Sequence, residues 1–181
     1  MDGLILVKPT EAHEAEIRAY RQEFLDYGDE LHGASGLIKY DDIPAWIVFV
    51  RAQESRATAH KLDYVDADQY LLICEGNPRI LGMINFRHYL QDGHLAEHGG
   101  HIGFSIRPTE RRKGYAKSML MHCLKKCHEN GLDKVLLTCD INNEASRKTI
   151  LACGGRFERM AITGDETDER YWIALDSMAQ D

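Results

Sequence analysis

Between Arg107 and Ala116 the chain reads "RPTERRKGYA", in which Arg111, Arg112 and Lys113 run into Gly114, Tyr115 and Ala116. Cations followed by a glycine suit an anion if a helix begins there. The first N–H groups of a helix have no internal partner, and its dipole puts about half a positive charge at that end. Gly114 lets the backbone approach without a Cβ, and Ala116 keeps the next turn small, so a phosphate can sit on those amides. The turn is not a P-loop, since no GxxxxGK[ST] occurs, and no GxGxxG follows the first strand. A second group, "HLAEHGGH", supplies His94, Glu97, His98 and His101. Histidines titrate near neutrality and a carboxylate can be raised by burial, so this group offers proton-transfer chemistry. HxxxH would suit zinc on a helix, but Gly99 and Gly100 spoil a helix face, and no metal is expected.

A strand must end before the cationic run and a helix must begin after it. "HIGFSIRP" reads as that strand, stopping at Pro108. From Tyr115 to Asn130 the apolar positions Ala116, Met119, Leu120, Cys123, Leu124 and Cys127 fall at helical spacing, with Gly131 as the stop. Upstream, "LILVKP" reads as a strand and "TEAHEAEIRAYRQEFLDYG" as a helix from Thr10 to near Gly28. "DDIPAWIVFVRAQES" reads as a second helix, with Asp41 or Asp42 as cap and Pro44 in its first turn. Residues 53 to 68 read as a loop, and "YLLICEGNPRILGMINFRHYL" as a hairpin turning at "GNPR". Downstream come a buried strand "DKVLLTCDI", a helix "NEASRKTILACGG" and a hairpin closing around "GDETD". The pattern is continuous, giving one α/β domain over 1–181: a strand with substrate-side helices and loop over 1–68, and a core over 69–181.

A chain of 181 residues that is 44% hydrophobic and 28% charged is globular in composition. Its formal net charge of −7 argues against nucleic acid as a partner, because phosphate backbones need a broad cationic face. No apolar run reaches the roughly 20 residues of a membrane helix, and the start lacks a basic leader with a long apolar core. The expectation is a cytoplasmic protein with no membrane partner. Five cysteines without CxxC spacing read as small buried hydrophobes; Cys123 and Cys127 lie on the apolar helical stripe.

The order of strand "HIGFSIRP", turn "RRKGYA", helix, strand "VLLTCDI" and helix "NNEAS…GGRFE" resembles the GCN5-related N-acetyltransferase (GNAT) family over about residues 70 to 175. The resemblance implies a GNAT fold with a splayed central mixed β-sheet flanked by helices, and acetyl-CoA as cofactor. The family's [QR]xxGx[GA] turn binds the pyrophosphate of acetyl-CoA and is matched by Arg111, Gly114 and Ala116. Its Asn-containing segment beside the pantetheine arm is matched by Asn143 through Ser146. The arm pairs with an exposed strand edge, here expected on the backbone of Ser105, Ile106 and Arg107. Cofactor contacts are therefore expected from Ser105 to Arg107, from Arg111 to Ala116, and at Asn143 and Ser146.

Transfer to an amine needs the neutral amine, and His101 or Glu97 is expected as base or water-holder. Many family members carry a Tyr about seven residues after the motif Asn, which protonates the leaving thiolate; this chain has Ile150 there. A thiolate of pKa ~8.5 is a tolerable leaving group without it. Acidic stretches "DDI", "YVDADQ" and "DGHLAEH" point to a small, cationic primary amine as acceptor. Tyr64 is a candidate substrate contact, and Trp46 and Phe49 are core. Arg147 and Lys148 read as helix surface. A homodimer is compatible with this reading. The runner-up function is a non-catalytic acyl-CoA-binding sensor on the same fold.

Overall fold

The computed structural model describes residues 3–62 and 64–176. Four strands, β1 (Leu4–Val7), β2 (Ala67–Cys74), β3 (Asn77–Arg87) and β4 (Ile102–Ile106), form one sheet in that order. Three more, β5 (Lys134–Asp140), β6 (Arg156–Thr163) and β7 (Glu166–Ala174), form a second in the order β5-β7-β6. Every ladder in both sheets is antiparallel. The expected splayed sheet is thus split in two where β4 and β5 come together. They meet at His101 and Leu136: the His101 N–H donates to the Leu136 carbonyl at 2.8 Å, and the Leu136 N–H donates to His101 Nδ1 at 2.9 Å. Gly100 permits this approach, since a Cβ there would lie 2.7 Å from the Leu136 carbonyl oxygen, on a backbone with φ +64°.

Helices α1 (Glu14–Tyr27) and α2 (Ile43–Gln53) cover one face of the first sheet, burying Ile17, Tyr20, Phe24, Trp46 and Ile47 against Leu71 and Met83. Helices α4 (Tyr115–Glu129) and α5 (Glu144–Ala152) serve the second core. There the stripe Met119, Leu120, Cys123, Leu124 and Cys127 packs with Ile84, Phe86, Leu137 and Ile150. Each such large side chain contributes about 1.5–3 kcal/mol on burial. Local chemistry sets the ends. Thr10 and His13 bond reciprocally before α1, Gly28 closes it in the left-handed region, and the Asp42 carboxylate accepts from the Ala45 N–H to cap α2.

Two expectations of element placement need correction. The hairpin turns at Glu75 and Gly76, one step before "GNPR", because Gly76 takes φ +76° and the Asn77 side chain already braces the Arg79 N–H. The stretch 53–68 is not one loop. Gln53 ends α2 and is buried, α3 (Arg56–Ala59) follows with Thr58 Oγ1 donating to the Ser55 carbonyl, and β2 begins at Ala67; Asp63 lies outside the described residues.

Candidate active site

Among the described residues, strand β4 has a ladder partner on one side only. The Arg87 N–H donates to the His101 carbonyl and the Arg107 N–H to the Leu81 carbonyl, and the register pairs Gly103 with Asn85 and Ser105 with Met83. Within β4, Gly103 and Ser105 therefore turn their N–H and C=O toward β3. Phe104 and Ile106 turn theirs toward the gap beside β5, because antiparallel pairs alternate. This corrects the expected edge: Ile106 faces the gap, while the backbone of Ser105 and Arg107 does not. Phe104 takes the place of Ser105, a choice that only the pairing register could have supplied.

The side chains agree with that assignment. Ser105 Oγ lies 3.1 Å from the Tyr20 hydroxyl, which also donates to the Ser105 carbonyl at 3.1 Å. Arg107 is buried under α1, with Nη2 3.1 Å from Glu16 Oε2 and its guanidinium over the Tyr20 ring. It holds α1 to the sheet and does not reach the gap.

At the far end of β4 the chain makes a helical turn at Pro108–Glu110 and then bends through Arg112 at φ +65° and Gly114 at φ +83° into α4. No side chain caps α4, so its first N–H groups are open. Arg111, Arg112, Lys113 and Gly114 are exposed, and Tyr115 and Ala116 are half-buried. Two of the three cations already have partners: Arg111 Nη1 is 2.6 Å from Asp29 Oδ2, and Lys113 Nζ is 2.8 Å from Glu110 Oε2. Arg112 has no ion-pair partner among the described residues. The turn accordingly offers an anion its amides first and its charge second.

Beyond β5, Asn143 caps α5, its Oδ1 accepting from the Ser146 N–H at 3.1 Å. That bond occupies the Ser146 amide and leaves the exposed Asn143 its Nδ2 donor. Arg147, expected as surface, instead ties α5 to β7 through Glu169, and its Nη2 donates to the Ile141 carbonyl. Ile150 is fully buried, and Cys153 packs in the same core, its thiol pushed up by burial.

The residues expected to move protons are placed otherwise than expected. His101 is 8% exposed, and its Nδ1 lone pair accepts from Leu136, which leaves the proton on Nε2. Burial, with the nearby Arg87 charge, pulls its pKa down to about 4. A neutral imidazole with its lone pair already engaged is a latch between sheets and no base. Glu97 sits on a single π-helical turn, Leu95–Gly99, where its carboxylate takes both oxygens to Arg159 Nη2 at 2.9 and 2.7 Å. That ion pair holds it below the usual carboxylate range. On the same turn, His98 Nδ1 meets Asp168 at 2.7 Å and Nε2 meets Thr163 at 3.0 Å, while His94 stacks on His98 and reaches Glu166. One ligand atom each from His98, Glu166 and Asp168 lie within 4.8 Å of one another.

A cavity of about 590 Å³ opens on the α1–α2 face, beside the start of β4. Its wall carries the aromatic group Tyr40, Phe49 and Tyr64, with Tyr40 stacked on Phe49 at 5.8 Å and Phe49 edge-on to Tyr64 at 5.3 Å. Phe49, expected as core, is a wall residue. Lys39 and Arg87 also line it, and among the described residues no carboxylate does. Five of the six acids that suggested a cationic acceptor are used elsewhere, all but Asp92: Asp41 pairs with Arg21, Asp42 caps α2, Asp66 and Asp68 hold His88, and Glu97 holds Arg159.

Residues 17–154 match the model of the Acetyltransferase (GNAT) family. No curated protein matches the chain. Among solved structures the fold is similar to RimL, a ribosomal L7/L12 alpha-N-protein acetyltransferase in complex with coenzyme A, at 14% identity and TM-score 0.70, covering 98% of this chain and 97% of that one. It is also similar to yncA of Salmonella typhimurium, an acetyltransferase assignment with acetyl-CoA as its cofactor, at 12% identity and TM-score 0.63, with 98% and 97% covered. A spermidine N-acetyltransferase SpeG chimera from Vibrio cholerae and hSSAT gives 13% identity and TM-score 0.66, with 99% and 100% covered. The chain belongs to the GNAT family of acetyltransferases, which use acetyl-CoA as donor.

Proposed function

We propose that this acetyltransferase acts on the primary amine of a small molecule held in the aromatic cavity, with the donor lying in the gap between β4 and β5. The observation that carries this reading is the continuity of three features. The gap opens beyond the His101–Leu136 contact, Phe104 turns its N–H and C=O and Ile106 its N–H into it while the Ile106 carbonyl is held by Arg111 Nε at 3.3 Å, and the uncapped start of α4 stands at its far end. Free N–H and C=O groups on a strand edge need partners, and an extended amide-bearing arm supplies them. The α4 amides from Gly114 onward, with Arg112, seat the diphosphate. Asn143 Nδ2 is the remaining donor at the α5 end.

Acetyl-CoA supplies the acetyl group as a thioester. On the acceptor side, the described wall of the cavity offers the amine two cations and no carboxylate, so bound ammonium is disfavoured and the neutral, nucleophilic form is favoured. The electrostatics of Arg87 and Lys39 thereby do part of the work otherwise given to a base. A thiol of pKa ~8.5 departs as thiolate near neutral pH, which fits the burial of Ile150 where an acid would stand.

Calorimetric titration with acetyl-CoA, dephospho-CoA and AMP tests the donor site. Binding of acetyl-CoA that depends on the pantetheine-diphosphate portion is expected; binding that AMP reproduces would overturn the placement.

A further inference from the structure

Arg87 reaches the acceptor cavity from β3 without a carboxylate partner among the described residues. Its Nη1 is held by two backbone carbonyls, Gly99 at 3.0 Å and Gly100 at 2.9 Å. Among the described residues its Nη2 and Nε make no hydrogen bond, and no acid lies within ion-pair distance. Nη2 lies 3.9 Å from where a side chain on Gly103 would begin, which sets the guanidinium over the start of β4. A half-buried guanidinium in a cavity wall, with no countercharge and two donors unused, attracts an anion. One buried atom without a partner lines the same cavity: Gln53 Oε1, at the end of α2, has no donor among the described residues. Lys39 adds a positive charge at the edge of the wall.

Resting on the small-molecule reading, we infer that the acceptor is an amine that also carries a carboxylate, an α-amino acid with an aromatic or broad apolar side chain. The carboxylate takes the fork of Arg87, whose planar pair of donors matches two oxygens. The ring or apolar chain lies against Tyr40, Phe49 and Tyr64. A polyamine, which brings two or more positive charges, meets repulsion from Arg87 and Lys39 and finds no acid in the described wall.

The test compares L-phenylalanine, phenethylamine, 3-phenylpropionate and spermidine on the full chain with CoA or acetyl-CoA present. Phenylalanine is expected to be acetylated with kcat/KM at least about tenfold above phenethylamine and spermidine, the loss typical of one charged hydrogen bond. Arg87→Gln is expected to raise KM for phenylalanine and erase that preference, and Arg87→Lys to restore part of it. Phenethylamine or spermidine outrunning phenylalanine overturns the inference while leaving the enzyme reading intact. A change confined to KM for acetyl-CoA in Arg87→Gln also overturns it, since Arg87 would then serve the donor. If none of the amines is turned over, the acceptor assignment is overturned, and binding decides only the carboxylate site: 3-phenylpropionate binding tighter than phenethylamine upholds a carboxylate on Arg87, and the reverse order overturns it. If Arg87→Gln does not fold, the order of the four probes on the native chain decides the inference in the same way.

Discussion

His101 and Leu136 exchange two hydrogen bonds, ring nitrogen to backbone N–H and backbone N–H to carbonyl, across the line where the two sheets meet. The folded chain keeps this imidazole neutral, with its pKa down at about 4 against about 6.5 unfolded. The unfolded state therefore binds the extra proton first. This contribution is complete above the unfolded pKa and is lost as pH falls from about 6.5 toward 4. Between pH 7 and 5 it amounts to about 2 kcal/mol. Urea unfolding at the two pH values measures it. In His101→Asn that portion of the pH slope should disappear, and a slope equal to that of the native chain would show that another group carries it.

Glu97 predicts the opposite kind of result. Its carboxylate is partly exposed and held by Arg159, so Glu97→Gln should leave kcat and its pH profile unchanged. A steady-state pH–rate profile is the check. Loss of the acidic limb in the variant would return Glu97 to the chemistry and require Arg159 to release it during turnover.

Gly114 separates backbone strain from charge at the donor turn. Its φ of +83° makes Gly114→Ala cost ~1–2 kcal/mol of stability. Gly114→Glu carries the same strain and adds an anion where the α4 amides point. Calorimetry with acetyl-CoA should show a dissociation constant at least about tenfold higher for the glutamate than for the alanine variant, a difference of ~1.4 kcal/mol. Equal affinities in two folded variants would move the diphosphate away from this turn.

Much of this arrangement was legible in the residues. The helix after "RRKGYA" has its apolar stripe and glycine entry, and Asn143 sits at the head of α5, because periodicity and capping are local properties. The choice between Ser105 and Phe104 at the open edge was not legible. It depends on which residues of β4 face β3, and that follows from the Arg87–His101 and Arg107–Leu81 bonds, made to residues far away in sequence. The histidine group misled for a related reason. "HLAEHGGH" fixes which residue types are available, yet Leu136, Asp168 and Arg159 decide what each does, and all come from the second sheet. Arg87 gave no signal at all, since a lone arginine at the end of a strand is ordinary until its lack of a countercharge is seen.

Ile150 stands where a proton donor to the leaving sulfur would be looked for, and its surroundings say what a tyrosine would meet. The side chain is completely buried in the second core, and its Cγ2 lies 2.5 Å from where a Cβ on Gly155 would begin. Ile150→Tyr must therefore force a ring and a hydroxyl into filled space, costing about 1–3 kcal/mol from overpacking. The phenol would also need a hydrogen-bond partner there. A lower urea midpoint with no gain in kcat is expected, the latter followed as CoA release in a thiol-trapping assay. A variant as stable as the native chain with a raised kcat would mean that position 150 reaches the sulfur, and that departure of the thiolate limits turnover.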